Sequence, residues 1–328
     1  MKGSIMLPDI KKMITYASMA PSGHNTQPWK FQTEGHYIKL LPDYSKTLPV
    51  ADADHHELFI SLGCALENLV LAAKELGYNG NVMYDMTDGE EEILIHLYED
   101  ETITKDILFA SIADRHVNRS HYLDQEIPAE VLEQLEYLSK TEGVTLSMIH
   151  EKEEKKSVAA LLKKAAFMQF SNKEYKSELL HWIRFSQQEA LQYKDGLRAA
   201  SNGNPSMQPW LGSFFFQHFV TPAHEAKKAE HLAEESPVLV VFTVKQNSKK
   251  SWVEMGRCFE RFSLAATRYG IAHAHLNMAC QEKEMREQLK GLLHTNEEPL
   301  LLLRIGFSNK ELPPSYRLPV DTLVTDHL

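Results

Sequence analysis

Apolar residues recur at helical spacing in several long stretches of the chain. In the opening segment, 7–19, Ile10, Met13, Ile14 and Ala17 fall on one face and Pro8 stands near the start, which predicts a helix. A longer amphipathic pattern covers about 57–76 and stops at Gly77, a residue suited to the left-handed turn that ends helices. Between them lie a turn-rich stretch, 21–25, and short strand-like pieces at 30–32 and 37–41; further strands are expected at 81–84 and 93–97. Past residue 100 the pattern predicts helices at 103–113 and 128–140, a strand at 145–149, and charged helical sequence over 151–193. The EKEEKK run that opens this last part reads as a solvated face. The stretch 195–221, rich in Gly, Asn, Ser and Phe, reads as a long loop or lid. A buried strand at 238–244, a helix at 252–269 stopped by Gly270, strands near 272–278 and 300–307, and a Pro-rich tail complete a mixed α+β pattern.

The two helical stretches that end in glycine are copies of each other. Gly63, Glu67, Leu71, Ala72, Ala73 and Gly77 recur at one constant offset as Gly256, Glu260, Leu264, Ala265, Ala266 and Gly270. Upstream of the first copy stands Asn25-Thr26-Gln27-Pro28-Trp29, and upstream of the second Asn204 and Gln208-Pro209-Trp210. The expected organisation is therefore two diverged α+β halves, 1–100 and 101–328, the second carrying a helical or lid-like insertion at about 151–221.

Composition narrows the partners. The chain has 328 residues, 45 Asp+Glu against 35 Lys+Arg, and a formal net charge of −10. Without a basic stripe, nucleic acid and anionic membranes are poor partners. The longest apolar runs, 237–244 and 299–303, are strand-sized, and no apolar leader precedes Lys11 and Lys12. Three cysteines with no CxxC pair fit a reducing compartment and argue against structural zinc. The expectation is a cytoplasmic protein.

Familiar catalytic signatures are missing: no phosphate-binding GxxxxGK[ST], no dinucleotide GxGxxG, no GxSxG elbow. His224–Glu225 opens like a zinc helix, but Lys228 occupies the second ligand position; His273 and His275 are expected to be structural, and no metal is assigned. Two segments remain. Ala20-Pro21-Ser22-Gly23-His24-Asn25-Thr26-Gln27-Pro28-Trp29 puts hydroxyl, amide and free backbone N–H groups in one tight turn, which suits a polar cofactor or simply ends a helix. Asp114-Arg115-His116-Val117-Asn118-Arg119 carries two arginines four apart; with Arg317 from the tail they could form an anion site.

These residues resemble a known family. The PSGHNTQPW loop, the RxxxR segment followed by Ile127-Pro128-x-Glu-Val-Leu132, the GxxxExxxLAAxxxG helix, LLRIGF at 302–307 and YRLPVD at 316–321 are similar to the FMN-dependent nitroreductases. Because the Arg motif opens the second half and not the first, the chain resembles the fused, single-chain Acg-like branch, in which one chain mimics a homodimer. The resemblance covers most of the chain, weakly between 151 and 236. It implies a nitroreductase-like fold with an internal pseudo-dimer, and one FMN per chain, because no Arg pair precedes the first loop. It further implies that Arg115 and Arg317 hold the phosphate, that Arg119 faces the N1/O2 edge of the flavin, and that Ser22, His24, Asn25 and Gln27 approach from the other half. Val117 and Ser315 depart from the family pattern, and each removes a phosphate-side donor. NAD(P)H would be the electron donor, and a small flat molecule, a nitroaromatic or quinone, the acceptor, with Trp210, Phe214 and Phe215 as candidate lining. The alternative is a flavin-sequestering protein with little turnover.

Overall fold

The computed structural model describes residues 8–325; residues 1–7, on which the leader reading rests, and the last three residues lie outside that range. The first half runs α1 (Pro8–Ala17), β1 (Trp29–Glu34), β2 (Tyr37–Pro42), α2 (His56–Glu75), β3 (Tyr78–Asp85) and β4 (Glu92–Glu99). Its sheet is antiparallel in the order β1-β2-β4-β3. The second half opens with α3 (Ala129–Ser139) and β5 (Val144–Ile149). An insertion follows: α4 (Lys152–Ser171), α5 (Lys173–Trp182), the short strands β6 (Ile183–Arg184) and β7 (Leu197–Arg198) around α6 (Gln187–Tyr193), then α7 (Pro209–Phe219) and α8 (Pro222–Glu235). The half closes with β8 (Val238–Val244), α9 (Lys249–Arg268), β9 (Ala272–His275), α10 (Met278–Gln281), α11 (Lys283–Leu292) and β10 (Glu298–Gly306). Its sheet is antiparallel in the order β5-β8-β10-β9. Set aside the insertion and the two halves share one topology: strand, strand, long helix, strand, strand, with the last strand paired inside the third.

Burial explains why the two sheets differ in sequence. In β1 and β2 buried and open positions alternate, because the sheet packs one face on the core. In β8 all seven residues are buried, so the strand is a continuous apolar run. Val238, Val240 and Phe242 join the main core, whereas Leu239 and Val241 pack with Val158 and Leu162 of α4. The insertion thus covers the outer face of the second sheet, and the tail crosses back, Val324 bridging Phe31 of β1.

Helix α2 is long and apolar enough to cross a membrane by length and composition, yet 16 of its 20 residues are buried inside the protein. It packs on α9 with a two-fold relation. A Cβ on Gly63 would lie 2.0 Å from the Val253 carbonyl oxygen, and one on Gly256 would lie 2.0 Å from that of Ile60. Ile60 and Val253 are separated by the same offset as the glycines, so each helix presents the same patch to the other, as in a symmetric dimer. Both helices end alike: Leu76 and Tyr269 donate back to the Ala pairs, and Gly77 and Gly270 take φ of 87° and 68°.

Three expectations need correction. Residues 103–113 form only a 3₁₀ turn at Phe109–Ser111, because the Asp100 and Asp106 carboxylates take the N–H groups of Thr102 and Leu108 in local turns that compete with helix. The stretch 195–221 is no long loop: Pro209 starts α7, and Gly212 lets that helix press on the Phe185 ring. The second QPW is not a copy of the first. Trp29 is fully buried at the start of β1, whereas Trp210 is 71% exposed in a helix, and the topological counterpart of β1 is β5.

Gly63→Ala should destabilise the protein by about 1–3 kcal/mol, although alanine is the better helix former by about 1 kcal/mol, because the new methyl meets backbone that cannot rotate away. Urea midpoints of parent and variant measure it; an unchanged or raised midpoint would refute the close helix contact.

Candidate active site between the two halves

The loop after α1 is built from unusual backbone. His24, Asn25 and Gln27 hold φ of 48°, 56° and 55°, three non-glycine residues in the left-handed region within four positions. Bonds from every side over-determine this shape. Ser22 Oγ accepts from the Gln27 N–H at 2.9 Å, and the Asn25 amide donates to the Gly196 and Tyr316 carbonyls. The Gln27 side chain donates to the Lys194 carbonyl and accepts from the Leu318 N–H.

Two guanidinium groups converge on the end of α1. Arg115 Nη2 and Arg317 Nη2 both donate to the Met19 carbonyl, at 3.2 and 3.1 Å, and Arg317 Nη1 donates to Asn25 Oδ1 at 2.9 Å. Glu260 is the carboxylate here: its Oε1 is 3.4 Å from Arg115 Nε, both side chains being sealed from solvent, and burial pushes its carboxyl up. Burial, and then the neighbouring Arg115 charge, pull Arg317 down to about 9. Arg115 Nε and Nη1, Arg317 Nε, Ser201 Oγ and His24 Nε2 have no hydrogen-bond partner. Two guanidiniums, Arg115 and Arg317, thus face one carboxyl.

Arg119 is the decisive side chain. It makes no hydrogen bond or ion pair with any described residue, and it lines all three of a chain of adjoining cavities, as do Leu197 and His275. The narrow one, about 80 Å³, holds Ser22, His24, Asn25, Arg115, Ser201 and Arg317. The middle one, about 240 Å³, adds Glu57, Cys64 and Phe259 from α2 and α9, and Tyr175 from the insertion. The wide one, about 620 Å³, is walled by insertion residues including Phe170, Phe215, Phe216 and Leu232. His24 and His275 are neutral at pH 7: burial, then the Arg119 charge, lowers them to about 4 and about 3, with Arg115 adding to the effect on His275.

The structure therefore brings Ser22, His24, Asn25, Arg115, Arg119 and Arg317 to one cleft. Gln27 lies off it, 1% exposed, and braces the loop. Trp210 and Phe214 stand outward on α7, and Phe215 reaches the wide cavity. His275 lines every part of the cleft, whereas His273, two residues earlier on the same face of β9 and packed on the same Phe259 ring, is buried. Glu57, Tyr175 and Leu197 also escape sequence reasoning. Glu57 accepts from the Asn277 and Gln281 amides, partners more than two hundred residues away.

No family model matches the chain. A protein provisionally named NAD(P)H nitroreductase acg, from Mycobacterium tuberculosis strain H37Rv, is 24% identical over 323 residues, covering 95% of this chain and 94% of the relative. Another, provisionally named NAD(P)H nitroreductase PigM, from Serratia sp., is 22% identical over 336 residues, covering 96% and 93%. The chain is a homologue of these nitroreductases along nearly its whole length. Among solved structures, a Bacteroides fragilis nitroreductase with bound FMN aligns at 15% identity and a TM-score of 0.41, over 66% of this chain and 96% of its own. An iodotyrosine deiodinase bound to FMN and 3-iodo-L-tyrosine aligns at 10% and 0.43, over 65% and 96%.

The neutral histidines set a pH dependence. Their folded values lie below the ordinary 6.5, so below pH 6.5 the unfolded chain binds protons that the folded protein does not, and stability falls as pH drops toward 4. Between pH 6.5 and 5 the ligand-free parent should lose about 1.5 kcal/mol more than His275→Asn, the slope rising toward about 1.36 kcal/mol per pH unit as the unfolded histidine becomes fully protonated. Equal losses by urea titration at the two pH values would contradict a neutral His275 in the cleft wall.

Proposed function

We propose that the cleft holds FMN and that the chain is an FMN-dependent oxidoreductase taking electrons from NAD(P)H and passing them to a small flat acceptor, a nitroaromatic or a quinone. The observation that carries this reading is Arg119, a guanidinium with no protein partner exposed to all three cavities, next to a narrow end where positive charge exceeds negative. The nitroreductase names of full-length relatives point the same way. Such a flavin would supply the redox chemistry, accepting hydride and releasing electrons, which no side chain of the cleft can do.

In this proposal the chain's own residues bind, orient and exclude water. Arg115 and Arg317 take the phosphate dianion with the N–H groups that the protein leaves free. Asn25 is spent on aiming Arg317, and Ser22 keeps its hydroxyl proton to donate, since its oxygen already accepts from Gln27. Arg119 balances negative charge gathered on the ring system, which is worth most where water is excluded. His24 and His275, uncharged, offer hydrogen bonds without adding repulsion. The aromatic wall of the wide cavity gives the acceptor its place, with Phe215 in that role. Both halves of one chain furnish the site, so no second copy is needed to complete it, and the division near residue 100 separates the Ser22 loop from the Arg115 segment.

One observation favours flavin sequestration as a second reading: the insertion segment 194–198 lies against the Ser22 loop through the Lys194 and Gly196 carbonyls, and Leu197 faces every cavity.

Purified protein should be yellow, and anaerobic NAD(P)H should discharge the colour until an acceptor restores it. Retained colour that NAD(P)H never discharges would favour sequestration, and a colourless protein that FMN does not stabilise would reject both readings. Arg317→Ala should raise the FMN Kd at least tenfold, about 1.4 kcal/mol. Arg119→Gln breaks no hydrogen bond or ion pair among the described residues and should shift stability by less than about 0.5 kcal/mol while slowing reduction by NAD(P)H. Arg115→Ala is the poorer probe, because it strands Glu260 in the core.

A further inference from the structure

On the outer side of the second sheet, three side chains that the proposed redox chemistry does not use meet at one point. His121 Nδ1 lies 2.8 Å from Glu235 Oε2, His231 Nε2 lies 3.4 Å from the same oxygen, and all three ligand atoms are within 4.8 Å of one another. His231 and Glu235 sit one helical turn apart on α8, and His121 comes from the segment that carries Arg115 and Arg119, 114 positions before Glu235. The surroundings fix this arrangement. Arg304, whose side chain is 1% exposed, stacks 4.0 Å over the Tyr122 ring, donates to the Ser120 carbonyl, and places Nη1 3.7 Å from Glu235 Oε1. The Leu123 N–H is tied to the Phe307 carbonyl, so the chain is anchored on both sides of His121 while its ring stays open to solvent.

We propose that His121, His231 and Glu235 form a binding site for a divalent transition metal of the zinc class. Two imidazoles and one carboxylate suit Zn²⁺ or Co²⁺ and not Mg²⁺ or Ca²⁺, which want an all-oxygen shell. Ligand atoms about 2.0–2.1 Å from a tetrahedral ion stand about 3.3–3.4 Å apart. The His231 to Glu235 spacing already matches, and the exposed His121 ring, 2.8 Å from the same oxygen and within 4.8 Å of the His231 nitrogen, completes the set by swinging from Glu235 toward His231. Three protein ligands leave the fourth position to water. The bound ion joins the Arg119 segment to α8, whose inner side, through Glu225, Lys228, Ala229 and Leu232, walls the wide cavity. Metal binding therefore staples the insertion over the cleft and fixes one wall of the acceptor chamber.

The test is calorimetric titration of untagged full-length protein with ZnCl₂, with CoCl₂ as a spectroscopic probe. One ion per chain is expected, with the intense visible band of four-coordinate Co²⁺. His121→Ala and His231→Ala should each weaken Zn²⁺ binding at least tenfold. Zn²⁺ should raise the melting temperature of the parent and leave that of His121→Ala unmoved. Both histidines are exposed, so the variants should fold; their metal-free melting curves verify this. Absence of saturable binding, or binding that neither substitution weakens, would overturn the site. Parent-like affinity in His121→Ala would reduce it to a helix pair and overturn the staple.

Discussion

The contact between Gly63 and Gly256 is the constraint on which the cleft depends. Two helices can bring their backbones this close only where neither carries a side chain, and the contact repeats under exchange of the halves, each glycine facing the carbonyl three residues before the other. The helices that meet there also wall the site. Glu57, Ile60, Ser61 and Cys64 come from α2, and Phe259 and Glu260 from α9. A wider separation at the glycines would move the Ser22 loop, which leads toward the first helix, away from the Arg115 segment, which packs beside the second.

Pseudo-symmetry also shows why the proposed site has no counterpart across the two-fold relation. Glu67 and Glu260 are equivalent positions of the repeat, but their surroundings have diverged. Glu67 is saturated, with Arg257 Nε at 2.9 Å and Arg261 Nη1 at 2.8 Å, and Arg261 also reaches Asp106. Opposite charges nearly balance there, leaving nothing for an outside anion. Glu260 has Arg115 as its one ion pair, at 3.4 Å, with Arg317 farther off and the Ser263 hydroxyl donating to its other oxygen, and unpaired guanidinium nitrogens remain. One fold position is thus an internal ion cluster, and its mirror keeps the unpaired guanidinium nitrogens on which the proposed anion site rests.

Much of this was legible in the sequence, for reasons that can be named. The helices α2 and α9 carry their glycine and alanine pattern because packing and termination both demand it, and β8 and the 299–303 stretch of β10 are nearly all apolar because both faces are covered. The Ser22 loop and the three arginines were legible through the order and resemblance of their motifs, since two arginines four apart read by themselves as a surface face. What stayed hidden depends on contacts between remote positions. Residues 103–113 have a helical apolar pattern, and only the competing Asp100 and Asp106 turns reveal why no α-helix forms. The second QPW matched in letters alone, since a proline that precedes a strand in one place starts a helix in the other. Glu57, Tyr175 and His275 looked like ordinary helix or strand residues, because cavity lining is a property of the insertion's path and leaves no local signal. The pairing of His121 with α8 is of the same kind.

The strained loop shows how far fold and site are one problem. Left-handed backbone at His24, Asn25 and Gln27 costs on the order of 1 kcal/mol or more per residue and persists only where its surroundings over-determine it. Those surroundings are not local. The Lys194 and Gly196 carbonyls come from the insertion, and the Leu318 N–H and Tyr316 carbonyl from the tail. The loop of the first half is therefore held in shape by segments that only the second half can deliver. Arg184, clasping Asp195 at 2.6 Å, and Arg198, stacked 4.8 Å from Tyr316, lock those segments to each other in turn. The insertion is then no passive cover: the same stretch that roofs the cleft with Leu197 also sets the conformation of the loop beneath it, so a change that loosens one must disturb the other.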